Sequence, residues 1–136
     1  MDFLNDVLDE KTDILSEFNI ISTIKTCEFL EIPIHYEVYS EMKLDINDIK
    51  SPDEWALQIT KITGYDTYVN PIGGMSFFDR DKYKSNGVEL EFLQQELIPY
   101  IQKIGHFEAG LSIIDVMMIC DVKTINKMME HYTILN

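Results

Sequence analysis

"YVNPIGGMSFFDRDKYKSNGVELEFL", residues 68–93, is the stretch on which the fold turns. It begins inside a short strand-like run, "DTYVN", rich in aromatic and β-branched residues. A Pro and a Gly pair interrupt that run. Asp79 then stands where a helix cap belongs, and "RDKYKSN" reads as a brief helix closed by Gly87. "VELEFL" alternates, placing Val88, Leu90 and Phe92 on one face. Strand, helix, strand in one span predicts two parallel strands joined by a right-handed crossover.

Working outward, "SPDEWALQITKITG" carries helix punctuation at both ends. Ser51 stands at the cap, Pro52 at the first helical position, Glu54 at capping-box spacing and Gly64 at the close. Before it, "IHYEVY" alternates Ile34, Tyr36 and Val38 against His35, Glu37 and Tyr39, a strand pattern that follows the stop at Pro33. Earlier still, Ile14, Phe18, Ile21, Ile24 and Leu30 recur near the helical period, with Thr12 as N-cap. Downstream, helices are expected from Ser112 to Cys120 and from Lys123 to His131. The reading is an α/β domain over residues 1–136: a small three-stranded parallel β-α-β-α-β sheet covered by N- and C-terminal helices.

A length of 136 residues suits one domain with a sizeable core, and 46% apolar content is ordinary for a globular chain. The net charge of −13 narrows the partners. Residues 1–50 hold 12 acidic against 4 basic side chains and residues 51–136 hold 12 against 7, so both parts are acidic. Such a surface repels phosphate backbones and anionic lipid, which argues against nucleic acid and membrane partners. Arg80 is the single arginine, so no arginine cluster grips a diphosphate. There is neither a basic-then-apolar leader nor an apolar run of membrane-spanning length. Cys27 and Cys120 stand far apart and read as reduced thiols of a cytoplasmic protein.

Ligands of open parallel sheets gather at the carboxyl ends of the strands. That rule selects "YSEM" with Ser40, "NPIGG" with Asn70, Gly73 and Gly74, and the segment after the third strand with Tyr100 and Gln102. The Gly pair offers backbone N–H groups to a ligand, or else supplies a turn with φ > 0 at Gly73 or Gly74. Tyr100 and Gln102 offer polar groups to a sugar or base edge, or else satisfy the loop's own backbone. Ser112 and Asp115 have capping-box spacing before an apolar run, and no Ser-His-Asp arrangement accompanies them. His35, His106 and His131 have no metal-type partner at helical spacing, which argues against a metal site; His106 stays as the one acid/base candidate. No cofactor is named by any motif. Met117, Met118, Met128, Met129 and Trp55 read as packing residues.

Several of these segments together resemble the WbqC-like family of bacterial proteins. The similarity rests on Tyr68, Asn70, Gly73 and Gly74; on Phe77, Phe78 and Asp79; on Gly87, Leu90 and Phe92; on Tyr100 and Gln102; and on Leu111 through Asp115. "CEFLEIPIHYEVYSEM" is also similar to the family's middle region, where a serine-containing turn follows a strand. Residues 1–20 lack the family's opening strand and its Gln-Pro-aromatic-aromatic-Pro segment, so the resemblance is to the C-terminal part.

The resemblance implies a role in surface-polysaccharide (O-antigen) biosynthesis, with group transfer onto a nucleotide-activated amino sugar. Asn70, Gly73, Gly74, Tyr100, Gln102 and Ser40 are then expected to hold a nucleotide-sugar or amino-sugar ligand. The alternative is a non-catalytic module that completes its fold with a partner protein. Either way an unpaired sheet edge is expected, and with it a homo-oligomer or a partner protein.

Overall fold

The computed structural model of the chain describes residues 2–103 and 105–136. In chain order it has α1 (Asp2–Leu8), α2 (Leu15–Phe29), α3 (Tyr39–Met42), α4 (Pro52–Ile62) and β1 (Thr67–Pro71). A 3-10 helix (Ile72–Phe77) follows, then α5 (Arg80–Ser85), β2 (Glu89–Gln95), α6 (Ile113–Ile119), α7 (Val122–Met129) and β3 (Tyr132–Leu135). The chain divides into two compact units, one of residues 1–36 and 97–131, the other of 37–96 and 132–136.

The second unit holds the sheet, in the order β1-β2-β3. β1 and β2 run parallel, pairing Tyr68 with Leu90 and Asn70 with Phe92. This is the strand–helix–strand unit read from residues 68–93, and the class is α/β. β2 and β3 run antiparallel, pairing Phe92 with Leu135, so the sheet is mixed rather than parallel throughout. The strand expected over 34–39 does not form. Residues 32–38 have no regular structure, and Ile34 and Tyr36, the intended inner face, are exposed. Alternation marks a segment able to be a strand, but only a ladder makes it one. Here Glu31 in left-handed conformation (φ 57°) and Pro33, which has no N–H, turn the chain away beforehand. The open side of β2 is taken by Tyr132–Leu135, which the sequence reading had left outside any strand; α7 stops at Met129, short of the expected His131.

The core of this unit is Leu57, Tyr83, Val88, Leu90 and Phe92, with Tyr68, Met75, Phe78 and Leu135 packed around it. Leu90 and Phe92 point inward from β2 while Glu89 stays exposed, as period-two alternation requires. Phe92 and Tyr83 are wholly buried, and each large side chain sequestered this way is worth roughly 1.5–3 kcal/mol. α4 presents Asp53, Leu57 and Thr60 inward, at helical spacing. Arg80 donates from Nη1 to the Leu90 carbonyl at 3.1 Å and lies 4.9 Å from the Phe92 ring centroid. The single arginine is thus committed to the sheet.

α4 and α5 are joined by a polar cluster. Lys82 Nζ reaches Asp53 Oδ2 and Ser51 Oγ, both at 2.9 Å, and Glu54 Oε1 at 3.4 Å, while the Tyr83 hydroxyl donates to the Asp53 carbonyl at 2.8 Å. Burial pushes the Asp53 carboxyl up, but hydrogen bonds from Ser51 and Lys82 and the Lys82 charge hold it, on balance, below the usual range. Lys82 is raised, chiefly by its bond to Asp53. The capping box expected at Ser51 is therefore rewired. Ser51 Oγ donates to Asp53 at 2.5 Å instead of capping, and the Glu54 carboxylate takes the Lys50 N–H at 2.7 Å. Gly64 ends the helix in left-handed conformation, as read (φ 81°).

The first unit is helical. Among the described residues, Val7, Leu30 and Ile125 are its buried apolar side chains, and Asn126 Nδ2 ties α7 to the end of α2 through the Leu30 carbonyl at 3.0 Å. Thr12 is not the cap of α2. Ile14 takes that position, and Thr12 Oγ1 accepts the Ile14 N–H at 3.1 Å while donating to Glu17. Among the described residues, no helix is long and apolar enough to cross a membrane.

Candidate functional site

Asn70 sits one residue before the end of β1, where the parallel strand delivers it to the carboxyl edge of the sheet. Its side chain is held at both ends. Tyr68 donates its hydroxyl to Asn70 Oδ1 at 3.0 Å, and Asn70 Nδ2 donates to the Pro71 carbonyl at 2.8 Å. Burial raises the Tyr68 phenol above its ordinary value, so it stays a neutral donor. Tyr68 itself is fixed by Phe78, stacked at 5.7 Å between centroids.

The Gly pair does not supply the left-handed turn that was one of its two expected roles. Neither glycine has positive φ; both lie in the 3-10 helix that follows β1. Gly74 is buried, and a Cβ there would overlap Asn70 Nδ2 and stand 3.2 Å from Phe78 Cε2. Gly73 is exposed, with nothing within 4 Å of where its Cβ would be. Gly74 therefore makes room for the Asn70 amide, and Gly73 leaves the backbone beside it uncovered.

Tyr100, Gln102 and His106 belong to the other unit. Tyr100 donates to Asp115 Oδ2 at 2.5 Å, and its ring meets Phe107 edge-on at 5.7 Å. The bond to Asp115 raises the Tyr100 phenol, and burial adds to this while a bond from Gln102 opposes it. Gln102 is buried and clamps its own loop, Nε2 donating to the Glu108 carbonyl at 2.9 Å and Oε1 accepting the Glu108 N–H at 2.7 Å. The backbone-satisfying role describes Gln102. His106 is exposed, 4.0 Å from Glu108 Oε2. Ser40 is exposed on α3, in the unit that contains Asn70.

Ser112 caps α6, its Oγ accepting the Ile114 N–H at 3.3 Å. Asp115, however, spends its carboxylate on Tyr100 rather than reaching back to close the box. Asp79 caps α5 through Lys82 N at 3.0 Å, so that helix end is already served. Cys120 is pushed up by burial and by Asp121 and Asp115, which keeps it a thiol. The sequence reading missed Tyr68 as the group that orients Asn70, although an i, i+2 spacing on one strand face was the available signal. It had no means of finding the Tyr100–Asp115 pair. Among the described residues no group of His, Cys, Asp and Glu is arranged to hold a metal ion.

No curated protein and no solved structure matches the chain. A family model does, over residues 1–127, a span that takes in the first twenty residues, where no family motif was legible. The chain belongs to the WbqC-like protein family.

Proposed function

We propose that this chain works in the cytoplasm in bacterial surface-polysaccharide (O-antigen) biosynthesis, by group transfer onto a nucleotide-activated amino sugar. Family membership supports the pathway. The observation that carries the binding role is the fixed amide of Asn70 at the carboxyl end of a parallel strand. Ligands of such sheets collect at that end. An amide has two donor and two acceptor positions, so Asn70 keeps one of each after serving Tyr68 and Pro71. A sugar hydroxyl or an acetamido group needs that pair. The uncovered backbone at Gly73 supplies a neighbouring N–H. With 24 acidic against 11 basic residues, recognition rests on the sugar more than on the diphosphate.

The test is a titration of the full chain with UDP-N-acetylglucosamine and with glucosamine, followed by amide NMR. Saturable shifts at Asn70, Gly73 and Gly74 are expected, and Asn70→Ala should abolish them while near-UV dichroism is unchanged. Shifts confined to residues away from 68–74, or none at millimolar ligand, overturn the reading.

A further inference from the structure

α6 reads Ile-Ile-Asp-Val-Met-Met-Ile, apolar but for Asp115, yet none of its residues is buried. Ile114, Met117 and Met118 stand at i, i+3 and i+4, on one face, and they line a cavity of about 400 Å³ in the helical unit. Phe3 and Leu4 of α1 and Phe29 at the end of α2 complete its apolar wall, with the Phe3 and Phe29 rings 5.2 Å apart between centroids. Phe29, Ile114 and Met118 stay 40%, 39% and 52% exposed, so the cavity is both apolar and open to water. Met117 and Met118, expected as packing residues, border this space instead.

The lining selects the kind of occupant. Among the described residues its one polar side chain is Lys103, which is exposed, and no carboxylate shares the cavity to neutralise it. A sugar, a nucleotide or a peptide backbone would bring several hydrogen-bonding groups against a wall that can answer only one of them, and each left unpaired is costly. A second copy would set two chains of net charge −13 together, with Asp6, Asp9 and Glu28 beside Phe3 and Phe29 in the adjoining groove. An alkyl chain meets neither obstacle, and unbranched methionine side chains adapt to its shape. The volume lies within the roughly 300–1,000 Å³ of small-molecule sites.

We infer that this cavity binds a small single-chain carboxylate, its alkyl chain against α1, α2 and α6 and its carboxylate on the Lys103 ammonium. The site lies within the helical unit and does not depend on the reading of Asn70.

The test uses the full chain labelled with carbon-13 at its methionine methyls, titrated with hexanoate, octanoate, decanoate and octanol. Saturable shifts at Met117 and Met118 are expected, with affinity rising on the order of fourfold for each added CH₂. Octanoate should bind more tightly than octanol. Lys103→Gln is expected to weaken octanoate about fivefold and leave octanol unchanged, as loss of one exposed ion pair would. No shift at either methionine with millimolar decanoate overturns the proposal. So does octanol binding as tightly as octanoate, affinity that ignores chain length, or octanoate binding that K103Q leaves intact. Met117 and Met118 signals that move with protein concentration alone would mean that a second copy fills the cavity, and that also overturns it. Should K103Q fail to fold, the contrast between octanoate and octanol in the unaltered chain decides.

Discussion

Asn70 Nδ2 occupies the space that a side chain on residue 74 would need. The amide cannot simply swing aside, because Tyr68 and the Pro71 carbonyl hold it. Gly74→Ala should therefore break those bonds and lower stability by about 1–2 kcal/mol. Gly73→Ala, with open space around its Cβ and no positive φ, should be neutral or stabilise by roughly 0.5 kcal/mol through the unfolded chain. Urea unfolding of both variants checks the contrast, and equal effects would contradict it.

The Asp53–Lys82 pair should shape the pH dependence of folding. Asp53 titrates lower in the folded chain, so its contribution is present above the ordinary carboxylate value and is lost as pH falls through the folded one. Lys82 is raised, so its contribution holds below the ordinary lysine value and is lost as pH climbs through the folded one. Asp53→Asn is expected to cost about 2 kcal/mol near neutral pH, since it leaves Lys82 and Ser51 poorly matched. It should also flatten the acid limb below about pH 4. Melting temperature against pH for the two proteins measures both effects.

Tyr100 should ionise late. Its bond to Asp115 favours the phenol, so ultraviolet titration is expected to find Tyr100 with Tyr68 and Tyr83 among the tyrosines that ionise above the ordinary value near 10, and Asp115→Asn to move one of them back down. A Tyr100 titration unchanged by that substitution would mean the pair does not persist in solution.

Two helix caps should differ in weight. Asp121 Oδ1 accepts the Thr124 N–H at 2.7 Å, whereas the Ser112 cap is stretched to 3.3 Å. Asp121→Ala is expected to destabilise by about 1 kcal/mol and Ser112→Ala by about 0.5 kcal/mol. Denaturant midpoints with unchanged slopes are the measure.

What could be read from the sequence was local. Asp79, Gly87 and the alternation of Val88, Leu90 and Phe92 specify α5 and β2 through neighbours a few residues away, and the structure has them. Ser112 was likewise legible as a cap. Pairing choice was not. "IHYEVY" has the better alternation, yet "YTIL" is the segment that docks on β2, because a ladder depends on where the chain delivers a segment as well as on its pattern. At the candidate site, Asn70 and Gly74 were found as separate residues, but their steric dependence appears only once the 3-10 helix folds one over the other. For the same reason the backbone-satisfying role of Gln102 could be read only as one of two alternatives: its clamp on Glu108 lies six positions away, through an irregular loop with no period to read.

The two units are threaded through each other along the chain, 1–36 with 97–131 and 37–96 with 132–136. No single continuous fragment contains either unit without part or all of the other. β3 is made after both other strands, and the sheet stays two-stranded until Tyr132–Leu135 arrives after the whole of 97–131 has been synthesised. Closing that long loop carries an entropic cost that the β2–β3 ladder and the packing of Leu135 on the core help to offset. Until then Phe92 lacks its Leu135 neighbour, and one side of β2 has no strand to pair with.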